Sequence, residues 1–248
     1  MERGLHLLPS AVSLHHAAGG SLPVETPTDY RRWVPNALTG SRLVIAAAFF
    51  ILLSVWNYPA NQLVVSARHP LWAYLVAAAL FGLAALTDAI DGPLARRWKT
   101  VSQFGRVMDP FADKVLVMGA FIMLAGPTFG SDLPDRPTLQ VSGVTSWMVV
   151  LMLSRELLVT SIRSVMEQSG TDFSAMASGK AKMVVQAGAI PLILVLLGIT
   201  PVGPGTWGRL CIDATVYVTL AVTVISGVPY VTAAIRASRS ATGSAGGH

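Results

Sequence analysis

The chain has 248 residues, of which 52% are hydrophobic and only 12% charged, with a net charge of +5 and a mean hydropathy of +0.56. A soluble domain carries about 25% charged residues, so half that share excludes an ordinary water-soluble globule and points to an integral membrane protein. The lone cysteine, Cys211, excludes an intramolecular disulfide and any cysteine-based metal site; it is expected as a buried apolar residue.

Residues 1–29 mix Pro, Ser, His and Gly without an apolar stretch suited to a signal peptide or a span, so they are expected as a flexible cytoplasmic segment. Tyr30, Arg31, Arg32 and Trp33 then begin a short interfacial helix, with aromatic and basic side chains at headgroup level. Six apolar runs follow, at about 37–57, 71–91, 111–129, 143–166, 183–203 and 210–235, each near the roughly 20 residues that cross a bilayer. All six read as helices, because only helices and closed barrels satisfy their backbone in lipid and the alternation of barrel strands is absent. Pro191 and Pro229 are expected to kink their helices, and Gly188 and Gly227 to help close packing. Asp213, without a companion, reads as a boundary residue. The predicted fold is all-α: an integral membrane bundle of six transmembrane helices over residues 30–236, followed by a flexible tail at 237–248.

Charge placement orients this bundle. With a cytoplasmic N-terminus, fifteen of the eighteen Lys and Arg fall on one face and only Arg68, Arg136 and Arg209 on the other. That positive-inside bias puts both termini on the cytoplasmic side of the cell membrane. The basic balance suits an anionic lipid surface and gives no ground for nucleic acid as a partner.

Between Asp88 and Asp113 the chain reads DAIDGPLARRWKTVSQFGRVMDPFAD, with four carboxylates at the borders of two apolar runs. Ionisable groups there must be offset by a partner, an ion or a wet cavity. Asp88 and Asp91 are three residues apart and Asp109 and Asp113 four apart, so each pair shares one helix face. The short basic stretch between the helices returns them antiparallel and brings the pairs together. Four oxygen donors without His or Cys suit one or two hard cations, Mg²⁺ or Mn²⁺ rather than zinc. Such a cage can bridge a pyrophosphate and stabilise a phosphorus-centred transition state. Gly92, Ala95 and Gly105 leave room for a base or phosphate to approach the backbone, and Arg96 adds a cation for phosphate oxygens.

The string Asp88-x2-Asp91-Gly92-x2-Ala95-Arg96-x8-Gly105-x3-Asp109-x3-Asp113 resembles the full signature of the CDP-alcohol phosphatidyltransferase family, with eight fixed residues over 26 positions. The resemblance implies a six-helix membrane enzyme that displaces CMP from a CDP-activated lipid or alcohol, and homodimers are common in that family. It also implies that Asp88, Asp91 and Asp109 bind metal, as two ions per site, and that Asp113 is the base and also a metal ligand. A narrower similarity reaches further. Pro35, Asn36, Leu38, Thr39 and Arg42 resemble the PNxLTxxR opening of bacterial phosphatidylglycerophosphate synthases, and Arg155, Glu156 and Arg163 their REx6R stretch. Gly179, Lys180, Lys182 and Gln186 are similar to their GKxKTxxQ, with Met183 standing where Thr is usual.

The reaction implied is attack by the 1-hydroxyl of sn-glycerol 3-phosphate on the β-phosphorus of CDP-diacylglycerol, giving phosphatidylglycerol phosphate and CMP. Asp113 accepts the hydroxyl proton; Asn36, Thr39, Asp88, Gly92, Ala95, Arg96 and Gly105 contact the nucleotide. A phosphorylated acceptor needs its own cations, for which Arg155, Arg163, Lys180 and Lys182 are the candidates, Arg155 and Lys180 first. Plainer structural readings stand beside these. Asn36 and Thr39 also suit helix caps, Arg155 and Glu156 a structural ion pair, and Arg163 and Lys182 positive-inside anchors. Two other functions share parts of the pattern: the same chemistry with a different acceptor (phosphatidylglycerol in a cardiolipin synthase, inositol phosphate or serine), and a small cation or proton transporter using membrane carboxylates.

Overall fold

The computed structural model describes residues 29–57, 72–98, 103–133, 136–168 and 177–245. Seven helices account for most of them: α1 (Asp29–Val55), α2 (Trp72–Trp98), α3 (Gln103–Leu124), α4 (Ser146–Gln168), α5 (Ala177–Ile199), α6 (Trp207–Ile225) and α7 (Val228–Ala245). The first five apolar runs each fall on one helix, and the sixth is shared by α6 and α7. Residues 1–28, the greater part of the expected N-terminal segment, lie outside the described residues.

Two boundaries differ from expectation. Helix α1 starts at Asp29, so the interfacial segment from Tyr30 is continuous with the first apolar run rather than a separate helix. Arg31, Arg32, Ala37 and Leu38 are good helix formers, and Pro35 withholds one donor without ending the helix. Asn36 and Thr39 therefore stand inside α1 rather than at the start of a helix. At the other end α7 continues to Ala245, so the segment expected as a tail is helical through most of its length.

The link between α3 and α4 carries the departure from an all-α fold. A 3₁₀ turn (Pro127–Phe129) leads into an antiparallel hairpin, β1 (Gly130–Leu133) and β2 (Arg136–Gln140), pairing Gly130 with Gln140 and Leu133 with Arg136. Its polar, proline-bearing sequence cannot extend either helix, so backbone pairing across the hairpin satisfies it instead. Gln140 Nε2 donates to the carbonyls of Leu124 (2.8 Å) and Gly126 (3.1 Å), and Ser142 Oγ to Leu124 O (2.6 Å), tying off the end of α3. Arg209 of α6 donates to Gln140 O and, at 2.8 Å, to Asp213 Oδ2. Asp213 thus has a companion after all, Arg209 one helical turn earlier, at the i,i+4 spacing that a helix brings together. Gly143 adopts φ +70 beside it; a Cβ there would lie 2.9 Å from Asp213 Oδ1.

The apolar core lies between the helices. Helix α1 packs on α2 and α3, α2 on α5, and α5 on α6. Phe49, Tyr74, Phe81, Phe121 and Phe129 are fully buried there, with the Phe49 and Phe81 rings 5.6 Å apart and tilted by 58°. Expectation fails at two small residues: Cys211 is exposed, and Gly188 faces open space instead of a close neighbour. Both follow from helix phase, since α5 and α6 each turn one face outward.

That outward surface is itself apolar. Val44 (71% exposed), Val184 (73%) and Leu210 (72%) belong to a set of large hydrophobic residues displayed by every helix from α1 to α7. Among the described residues, Ala181–Ile199 and Trp207–Arg236 are long and apolar enough to cross a membrane.

Within Trp207–Arg236 the helical ladder breaks between α6 and α7. The Gly227 N–H turns to Val224 O (3.0 Å), so it no longer reaches the carbonyl of Thr223 four residues back. Pro229, with no N–H to give, prevents the ladder from closing over the same turn. The carbonyl left over by this break is that of Thr223.

Candidate functional site

One cavity of about 760 Å³ opens at the end of the bundle where α2, α4 and α6 finish and α3 and α5 begin. Its wall changes character from acidic to basic. Asp88, Asp113 and the neighbouring Phe81, Ala85 and Leu116 form one side; Arg155, Glu156, Arg163, Gly179, Lys182, Gln186 and Tyr230 form the other, with Lys114 and Thr160 also lining it.

On the acidic side, Asp88 comes from the third-last turn of α2 and Asp113 from the third turn of α3. They converge on a residue of a third helix. Arg42 Nη1 lies 2.6 Å from Asp88 Oδ1 and 3.7 Å from Asp113 Oδ1. The arginine side chain is sealed from solvent, whereas the two carboxylates keep 33% and 30% of their surface open. Asp91 follows Asp88 on the same face of α2, and Asp109 precedes Asp113 by one turn of α3. The side chains of Asp91 and Asp109 lie outside the described residues, as do those of Asn36, Thr39, Arg96 and Lys180. Gly92, Ala95 and Gly105 belong to the same helix ends.

The basic side is a network. Glu156 Oε1 accepts from Arg155 Nη1 (3.0 Å) and from Lys182 Nζ, joining α4 to α5. Arg155 also donates from Nε to Thr223 O (3.1 Å) and from Nη2 to Ser226 Oγ (2.9 Å). Ser226 Oγ donates to the same carbonyl at 2.7 Å, and Gln186 Nε2 to Thr223 Oγ1 at 3.0 Å. The break after α6 thus frees a carbonyl, and Arg155 and Ser226 satisfy it. Gly227 is what lets the arginine in: a Cβ there would stand 3.3 Å from Arg155 Cγ and 3.2 Å from Val224 O. Similarly, a Cβ on Gly179 would stand 3.0 Å from the Tyr230 hydroxyl, so these glycines set how closely α7 approaches α4 and α5.

Of the candidates read from the sequence, Asp88, Asp113, Arg155, Arg163 and Lys182 thus meet in one cavity. The ion pair of Arg155 with Glu156 is present, and it extends to Lys182. Two members lacked a role in the sequence reading. Arg42 was visible only as the end of the PNxLTxxR string, although a charge heading a run as apolar as 43–57 was itself a signal. Lys114 stands one residue after Asp113 and reaches Thr160 Oγ1 at 3.0 Å, a contact across 46 residues that spacing does not reveal.

Among the described residues no group of three or more His, Cys, Asp and Glu is gathered to hold a metal ion, and the acidic side offers two carboxylates as a partial donor set for a hard cation. Two carboxylates from different helices face a common point, and a positive group already sits at hydrogen-bonding distance from one of them.

The profile of the family described as CDP-alcohol phosphatidyltransferase matches residues 32–229. A probable phosphatidylglycerophosphate synthase of Mycobacterium tuberculosis (strain H37Rv) is 36% identical over 81% of each chain. The CDP-diacylglycerol–glycerol-3-phosphate 3-phosphatidyltransferase of Bacillus subtilis (strain 168) is 32% identical, over 65% of this chain and 76% of its own. That of Yersinia pestis (strain Pestoides F) is 36% identical, over 63% and 74%.

Proposed function

The chain belongs to the CDP-alcohol phosphatidyltransferase family, and on that premise we propose that it transfers the phosphatidyl group of CDP-diacylglycerol to sn-glycerol 3-phosphate, giving phosphatidylglycerol phosphate and CMP. The observation that carries this reading is a single cavity with carboxylates on one wall and cations on the other. A cytidine diphosphate needs its charge neutralised at the reacting phosphorus, and an acceptor that is itself a phosphate needs separate positive groups.

The chemistry follows from that division. Asp88, Asp91, Asp109 and Asp113 would hold the divalent ions, Mg²⁺ or Mn²⁺ and two in number, whose contribution is to neutralise pyrophosphate charge. The signature residues Gly92, Ala95, Arg96 and Gly105, together with Asn36 and Thr39 of α1, would receive the nucleotide. Arg163, Lys180 and Lys182 would hold the acceptor phosphate, with Lys114 and Arg155 beside them. Asp113 takes the proton from the acceptor's 1-hydroxyl as its oxygen forms a bond to the β-phosphorus. The bond from that phosphorus to the CMP oxygen breaks, and CMP leaves with the electron pair.

The membrane arrangement belongs to the same proposal: six spans in the cytoplasmic membrane, α6 and α7 sharing the sixth, with the cavity at the cytoplasmic surface. The apolar outer surface and the two helical stretches long and apolar enough to cross a membrane support it. The acyl chains stay in the bilayer while the headgroup enters the cavity from the side.

The test is to supply purified protein with CDP-diacylglycerol, labelled glycerol 3-phosphate and Mg²⁺ or Mn²⁺, and to follow labelled lipid and CMP. Label should enter lipid, and chelation or Asp109→Asn should abolish it. Product only with phosphatidylglycerol, inositol phosphate or serine would overturn the acceptor. Ion flux without CMP release would overturn the enzyme in favour of a transporter.

A further inference from the structure

We propose that Arg42 is a built-in counter-ion of the carboxylate site, bridging Asp88 and Asp113 so that the site stays assembled without metal while divalent ions bind it weakly enough to exchange. This rests on reading Asp88 and Asp113 as divalent-ion ligands.

Three features converge on Arg42. Its side chain is 1% exposed, and a guanidinium so removed from water must be held by anions. Asp88 and Asp113 supply them from two other helices, at 2.6 and 3.7 Å from the same Nη1. In turn, two carboxylates brought together repel each other unless a cation stands between them. The bridge therefore links α1, α2 and α3 at the point where Asp88 and Asp113 meet.

The carboxylates are not consumed by it. Each offers about four lone-pair positions, and each keeps roughly a third of its surface towards the cavity, opposite the buried arginine. A divalent ion entering from the cavity would meet ligands already held in place, and also the repulsion of a fixed positive charge behind them. The first effect spares the protein from unfolding locally when metal leaves. The second lowers metal affinity, in the same way that any nearby like charge weakens binding. Arg42 is thus a positioning residue that acts through Asp88 and Asp113.

Two readouts independent of turnover test this: thermal unfolding in detergent with EDTA or graded Mn²⁺, and the free Mn²⁺ signal in electron paramagnetic resonance. Arg42→Gln should melt below the parent in EDTA, yet bind Mn²⁺ with half-saturation about tenfold lower. Arg42→Lys, which keeps a charge but loses the planar fork, should move both quantities in the same directions by less. If Arg42→Gln is recovered only when purified with Mn²⁺, that too supports the proposal. Unchanged or weaker Mn²⁺ binding in Arg42→Lys or Arg42→Gln, with clear Mn²⁺ binding by the parent, would overturn it and leave the metal reading standing. No Mn²⁺ binding by the parent, or binding that survives Asp88→Asn undiminished, would overturn the metal reading and this proposal together.

Discussion

Glu156 offers the sharpest energetic test of the basic wall. It is buried, and its Oε1 accepts from both Arg155 and Lys182, which are buried as well. Removing a partner from a buried ion pair costs about 3–5 kcal/mol, because the charge left behind has neither water nor a counter-ion. In Glu156→Ala two such charges are left, so the upper half of that range applies. For a chain of this length each kcal/mol lowers the melting temperature by about 2–4 °C. The expected fall is therefore about 8–20 °C. Glu156→Gln keeps an acceptor oxygen and loses only the charge assistance, about 1–3 kcal/mol, so it should fall by less. The double variant Glu156→Gln with Lys182→Met removes one charge of each sign and should recover part of the loss. Tryptophan fluorescence during heating in detergent reads all three. A Glu156→Ala variant melting within about 2 °C of the parent would refute the claim that the three charges form one buried unit.

Three further outcomes follow from the same geometry. Gly227→Ala places a methyl 3.3 Å from Arg155 Cγ and 3.2 Å from Val224 O; overpacking of this kind costs about 1–3 kcal/mol, and displacement of Arg155 should raise KM for the acceptor. An unchanged KM would separate Arg155 from the acceptor pocket. Gly143→Ala forces a non-glycine residue to φ +70 within 2.9 Å of Asp213 Oδ1, costing about 1–3 kcal/mol of stability. Its turnover below the melting transition should match the parent, since the hairpin end lies away from the cavity. Arg209→Met, which removes the bonds to Gln140 O and Asp213, should likewise lower the melting temperature without changing KM for either substrate.

What the sequence made legible depended on the range of each interaction. The helical runs and the pairing of aspartates at three and four residues were local patterns, and helices with those periods are what α2 and α3 became. Arg42 beside Asp88, Lys114 beside Thr160 and Arg155 beside Ser226 join residues 46 or more positions apart. Nothing in local spacing encodes such contacts; they depend on how α1, α4 and α7 pack. The hairpin escaped for a different reason. Two strands of four and five residues between long apolar runs carry too little periodicity to distinguish from a polar linker. Gly227 and Pro229 did signal trouble in the last span, but not that the trouble was a break whose spare carbonyl would anchor an arginine.

That anchoring alters which cation an incoming phosphate meets first. Arg155 shares first place with Lys180 among the cations expected from the sequence, yet three of its five N–H groups point inward, to Glu156, Thr223 and Ser226. Turning the guanidinium fully towards a ligand would leave the Thr223 carbonyl with only Ser226. Lys114 is exposed on the cavity wall and donates one bond, to a threonine hydroxyl that water can replace. Lys114 and Asp113 line the same cavity. A dianionic acceptor drawn to Lys114 would therefore bring its hydroxyl near Asp113. Lys114→Met should accordingly raise KM for glycerol 3-phosphate more than Arg155→Met does among folded variants, whereas Arg155→Met should lose more stability. The reverse order in both measurements would return Arg155 to the first place and make Lys114 a headgroup contact.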